Sequence, residues 1–163
     1  MLPYLNKLEE DRKLLLQVTE SLTEEQYNFI PEGFSNNIIW NLGHILVVSE
    51  NILFKDSAFQ RPVQEVIRQQ FQRGSRPETN IDDDEIFLIR YALMQTVRFY
   101  KKAAGIGDQN GETKIQQGNF VQMISGERME FLLFHEKIHY YRIGKLMEMV
   151  KEISSATQNL NNQ

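Results

Sequence analysis

Ile38-Ile39-Trp40-Asn41-Leu42-Gly43-His44-Ile45-Leu46-Val47-Val48-Ser49-Glu50-Asn51-Ile52-Leu53-Phe54 is the richest apolar stretch of the chain. At 3.6 residues per turn its apolar side chains run almost all the way round, the pattern of a helix held inside a bundle. Ser35 or Asn36 is placed to cap its start, so a helix is expected from there to about Phe54. Asn41, His44, Ser49, Glu50 and Asn51 break the run, which stays short of the roughly 18 to 20 apolar residues that cross a bilayer. His44 sits mid-helix, with Trp40 one turn before it and Val48 one turn after.

Upstream, Leu5, Leu8, Leu15, Val18 and Leu22 fall on one stripe, which predicts an amphipathic helix over about Leu2 to Leu22. Thr23-Glu24-Glu25-Gln26 reads as a capping box that opens a short helical turn, closed by Pro31 and Gly33. Downstream the pattern weakens from Lys55 to Ile81. Val63, Val66, Ile67 and Phe71 suggest a short helix, and Gly74-Ser75-Arg76-Pro77 a loop. The whole stretch is a crossover of more than twenty residues between the second and third long helices.

Asp82 with Glu85 marks a capped start. Ile86, Ile89, Leu93, Val97, Tyr100 and Ala104 form the next stripe, and Gly105 supplies its stop. Residues 105–118 are polar and turn-rich. A last long helix is expected to begin between Asn119 and Ser125 and to end near Val150 or Ile153. The fold expected is therefore all-α: a four-helix bundle in one domain over residues 1–153, with a polar, frayed tail at 154–163.

The composition, 163 residues with 41% hydrophobic and 25% charged, is that of a globular domain able to bury a core. With no cysteine, disulfides, thiolate ligands and a thiol nucleophile borne by the protein are excluded. The net charge of -4 and the interspersed signs leave no basic face for nucleic acid. The beginning of the chain lacks a basic, apolar secretion signal, so a cytoplasmic protein that does not engage a membrane is expected.

All three histidines lie in apolar helical surroundings. His135 and His139 are four apart, so their rings leave one helix face about a turn from each other. Neutral imidazole is the commonest metal ligand, and a facing helix of a bundle can bring His44 opposite the pair. A lone histidine on an apolar face is ordinarily a core residue with a satisfied ring nitrogen. Three with none left over for a polar segment favour a shared site, and both readings stand on spacing alone. Three nitrogen ligands would leave coordination positions open, as catalytic sites do.

His135-Glu136-Lys137-Ile138-His139 also fits the H-E-x-x-H pattern of zinc peptidases, with Glu136 as a candidate catalytic base. The setting fits poorly: position 145 is Lys, no histidine follows His139, and no strand pattern offers a substrate-binding sheet edge. A solvent-facing Glu136 is the plainer expectation. Glu136-x-x-His139 has no second copy, so a di-iron bundle is excluded.

Trp40-Asn41-Leu42-Gly43-His44-Ile45 and Phe131-Leu132-Leu133-Phe134-His135-Glu136-Lys137-Ile138-His139 resemble the two signature helices of the DinB-like superfamily. The resemblance extends over nearly the whole chain, including the Thr23–Gln26 turn and the Gly74-Ser75 loop. It implies a four-helix bundle with His44, His135 and His139 as ligands of one divalent transition metal, usually nickel or zinc. It implies further a transferase that uses a low-molecular-weight thiol such as bacillithiol, mycothiol or glutathione. One departure bears on the substrate. Relatives often follow the second histidine of the pair with Arg-Gly-Gln-Ile, where this chain has Tyr140-Tyr141-Arg142-Ile143. For both tyrosines packing and surface roles are expected.

The leading expectation is thus a metal-dependent thiol transferase acting on a small-molecule substrate. A metal-dependent hydrolase that activates water comes second, and a non-catalytic bundle with core histidines or a vestigial site third. The all-round apolar second helix would also suit a homodimer interface.

Overall fold

The computed structural model describes residues 1–54, 63–106 and 124–161, with side chains to residue 151. Those residues form six helices and no strand: α1 Leu2–Val18, α2 Glu24–Asn28, α3 Ile38–Leu53, α4 Glu65–Phe71, α5 Asp83–Ala103 and α6 Gly126–Asn161. The two short ones, α2 and α4, are the turn and the crossover helix expected from sequence. α3 packs against α5 and α6, and α1 packs against the same two. α3 is the centre of the molecule. Thirteen of its sixteen residues are buried. Burying each Leu or Ile contributes about 1.5–3 kcal/mol, so this helix anchors the core.

The helix ends follow local chemistry. Thr23 and Gln26 form a complete capping box, and the Asp82 side chain accepts from the Glu85 backbone N–H. Gly105, at φ 65°, ends α5 in a Schellman turn: Ile106 N–H bonds Lys101 O and Gly105 N–H bonds Lys102 O. Four boundaries differ from expectation, the first being that of α1, which ends at Val18 and not near Leu22. α3 is capped by Asn37 rather than Ser35 or Asn36, because the Asn37 carboxamide reaches the Trp40 N–H at 2.8 Å. α6 begins just after Ser125, whose hydroxyl accepts from the Arg128 N–H. It then runs on to Asn161, beyond the end placed near Val150 or Ile153. Most of the polar 105–118 segment, from residue 107, lies outside the described residues, as do the side chains of the tail.

The α1 stripe also needs correction. Val18 is 55% exposed, while Arg12 is fully buried among Leu5, Leu8 and Leu15. Leu8 belongs to one apolar cluster with Val97, Tyr100 and Leu132. Leu15 belongs to another with Leu42, Ile89 and Ile143. Arg12 on α1 and Glu136 and His139 on α6 therefore fall between two hydrophobic layers, in a buried polar one.

Candidate metal centre

Within that polar layer α6 presents two different faces. At about 100° per residue, His135 and His139 share an arc of about 40°, and Glu136 and Tyr140 lie roughly 100° round from them. The histidine face meets α3, and the Glu136 face meets α1.

On the α3 side the rings of His44, His135 and His139 converge. Ring centroids are 5.3 Å apart for His44–His135, 4.9 Å for His44–His139 and 4.7 Å for His135–His139. One nitrogen from each lies within 4.8 Å of the others, a group that could hold a metal ion. His44 and His139 are 6% and 4% exposed, and His135 is half-buried.

Outer contacts set the tautomers. His44 Nδ1 lies 2.8 Å from the Phe71 carbonyl oxygen. A carbonyl only accepts, so Nδ1 carries the proton and Nε2 keeps its lone pair. His139 Nδ1 lies 2.8 Å from Asn41 Oδ1. The Asn41 amide is oriented by its own Nδ2, which donates to Asn37 O, and Asn37 Nδ2 donates to Asn28 O. Hence Oδ1 is the acceptor facing His139, whose Nε2 is likewise left as a donor of electrons. His135 Nδ1 is buried and has no hydrogen-bond partner. Protein oxygens on the far side of a ligating imidazole fix its orientation and raise its basicity.

The rings are held neutral. Burial is the largest cause for each. It lowers the His44 pKa against the opposing Phe71 hydrogen bond, and Arg142 adds a smaller push in the same direction. His135 is lowered to about 4 by burial, His44 and Arg142. His139 is lowered to about 3 by burial, its two histidine neighbours and Arg142. Neutral nitrogen donors without carboxylate or thiolate suit a borderline divalent transition ion, and not calcium or magnesium.

Gly43 explains how Phe71 reaches His44. A Cβ at position 43 would overlap the Phe71 ring. The missing side chain lets α4 lie directly on α3 and bring its last carbonyl to the imidazole. The crossover is pinned there elsewhere too, by Trp40 Nε1–H to Ser75 Oγ and by Glu50, which accepts from Val63 N–H and Arg68. The Trp40 ring stacks on His44 at 4.7 Å and 10° and closes that side. On the other side Phe131 stacks on His135 at 6.1 Å. Phe131, Val48, Ile52 and Arg128 line a cleft of about 540 Å³ between α3 and α6, of small-molecule size.

Glu136 does not point to solvent. It is 1% exposed, its Oε1 receives Arg12 Nη2 at 2.5 Å and its Oε2 receives Arg12 Nε at 3.2 Å. Tyr140 donates to Oε2 at 2.6 Å, and Arg12 Nη1 donates to Leu93 O at 2.6 Å. Burial works against the Arg12 charge, but Glu136 outweighs it and raises the Arg12 pKa. Burial and the Glu136 charge raise that of Tyr140. A carboxylate so engaged is a tie between helices. Tyr141 is exposed and carries Lys145 over its ring at 5.9 Å.

Arg12, Asn37, Asn41 and Phe71 were not singled out from sequence. For Arg12 a signal existed: positions 5, 8, 12, 15 and 19 keep helical period, so a charged residue occupied a core position. Phe71 carried none, since its contribution is a backbone carbonyl from a distant segment.

The sequence profile of the DinB superfamily matches residues 7–143, which include all three histidines. This chain belongs to the DinB superfamily. No curated protein and no solved structure matches it. None of the helices among the described residues is long and apolar enough to cross a membrane.

Proposed function

We propose that this protein is a cytoplasmic metal-dependent transferase. It presents a low-molecular-weight thiol to an electrophilic small molecule, with His44, His135 and His139 as ligands of one nickel or zinc ion. The observation that carries the reading is the convergence of three neutral imidazoles, two buried and one half-buried, two oriented by oxygen acceptors behind them and none accompanied by a carboxylate. A divalent ion there would favour the thiolate of a coordinated thiol and hold it for attack.

The chain's own residues do the remaining work. Phe71 O and Asn41 Oδ1 keep two Nε2 lone pairs aimed inward. Trp40 shields His44 from water, and the cleft beside Phe131 admits a small molecule. The nucleophile must come from a cosubstrate, because the protein has no cysteine. Water-activating hydrolysis has less support, since Glu136, the carboxylate adjacent in sequence, is committed to Arg12 and Tyr140.

The test is conjugation of bacillithiol, mycothiol or glutathione to an activated chloroarene. In that reaction the thiolate sulfur bonds to carbon, chloride leaves and the thiol proton passes to solvent. Nickel- or zinc-loaded protein should accelerate at least one pairing and His44→Ala should not. Equal rates for the two proteins with every thiol and several acceptors would reject the transferase reading.

A further inference from the structure

Arg142 is an exposed cation on the helix that carries His135 and His139. Arg12, Arg68, Arg90 and Arg98 each have hydrogen-bond or ion-pair partners on the protein. Arg142 has none among the described residues and is exposed. Its place on α6 is not neutral with respect to the histidines. Seven residues after His135 and three after His139, it falls within about 20° of His135 on the helix face and about 4.5 Å of rise beyond His139. From that position an arginine stem is long enough to bring a guanidinium to the edge of the cluster, at the end away from Phe131 and the cleft.

A fixed cation beside a metal site is electrostatically unfavourable unless an anion accompanies the ligand. It raises the local positive potential, which neutral imidazoles do nothing to offset. The planar guanidinium fork matches a carboxylate through two parallel hydrogen bonds. No carboxylate among the described residues is paired with it.

We infer that Arg142 binds a carboxylate on the molecule held at the three histidines, so that the site selects thiols that are also acids. This rests on the thiol reading proposed above. The thiol is then held at two points, sulfur at the histidines and carboxylate at Arg142. The cleft beside Phe131, at the opposite end, is left to the electrophile. Two-point attachment fixes the direction of the sulfur lone pairs, which a single bond to an ion does not.

The test uses cobalt(II)-loaded protein, in which a coordinated thiolate gives a near-ultraviolet charge-transfer band. Titrations with 3-mercaptopropionate and 2-mercaptoethanol compare an acidic and a neutral thiol of similar size. Wild-type protein should bind the acid at least about tenfold more tightly, the ratio that one good charge-assisted pair confers. In Arg142→Gln that preference should collapse to below about twofold, and Arg142→Lys should retain part of it. Arg98→Gln, on another face, should keep it. The preference should also shrink with added salt, because Arg142 is exposed. A thiolate band with no preference for the acid, or a preference that survives in Arg142→Gln, overturns the inference and leaves the thiol reading standing. Absence of a band with either thiol overturns both.

Discussion

One helix carries two pairs of residues at the same spacing, and the protein treats them in opposite ways. Glu136 and Tyr140 turn toward α1, where their oxygens meet Arg12 and each other. His135 and His139 turn toward α3, where outer contacts hold His139 and His44 by one nitrogen and leave the other inward. The first pair is closed on itself. The second brings three ring nitrogens close enough together that they could hold a metal ion. A buried polar group with every partner present fixes structure, and one held with a lone pair in reserve is free to accept a ligand.

The closed side fixes the roll of α6. A buried ion pair is weak evidence of net stability, but its geometry admits one orientation of the helix, and that orientation aims the histidines at α3. Arg12→Ala should therefore have the largest effect on folding, about 3–5 kcal/mol in urea denaturation, because it leaves Glu136 buried and unpaired. Replacing both partners, Arg12→Met with Glu136→Leu, should cost less than Arg12→Ala alone. If it costs as much, the pair contributes more than mutual compensation.

Glu136→Gln comes next. It keeps the shape and some hydrogen bonds but leaves Arg12 short of a counter-charge, at an expected cost of about 1–3 kcal/mol. Metal stoichiometry should remain near one per chain. Loss of metal without loss of fold would place Glu136 with the histidines after all.

The face toward α3 should respond in reverse. His44→Ala, His135→Ala and His139→Ala should each remove most metal uptake, measured by elemental analysis of untagged protein, since two ligands hold an ion poorly. Each should cost the metal-free fold less than about 2 kcal/mol, within the range of ordinary substitutions. Gly43→Ala links the two properties. Its Cβ must displace the Phe71 ring, at about 1–3 kcal/mol, and moving α4 also moves the carbonyl behind His44. Metal affinity should fall although no ligand has changed.

A pH dependence of the metal-free protein is expected as well. Unfolded histidine takes a proton near pH 6.5, whereas His135 and His139 in the fold resist protonation until about 4 and about 3. Between those values the unfolded state holds more protons, so stability should fall as pH drops through the window and be unaffected by these groups above it. A double variant, His135→Ala with His139→Ala, should show a shallower decline in Tm between pH 6.5 and 4. An unchanged slope would assign the decline to other groups.

Much of the fold was legible because burial writes itself as period. α5 buries Ile86, Ile89, Leu93, Val97 and Tyr100 as its stripe requires, and the caps at Thr23 and Asp82 form as spelled. The histidine cluster was legible because three rings in apolar helices had few other uses. The errors arose where one residue's behaviour depends on a partner far along the chain. Arg12 is buried because Glu136 lies 124 positions away, and neither side of that pair announces the other. Asn37 outcompetes Ser35 and Asn36 as the α3 cap because its other amide atom is needed at Asn28 O. Hydrophobic period alone places neither.

The chain contains one tryptophan, and it is the residue whose indole lies flat against His44. Any event that changes the electron density of that imidazole therefore takes place at van der Waals range of the only strong near-ultraviolet emitter in the protein. Trp40 makes the molecule its own optical gauge. Occupancy of the cluster can be followed as a change in emission in dilute solution, without a label, a tag or a coupled assay, and the background from every other part of the chain is tyrosine alone.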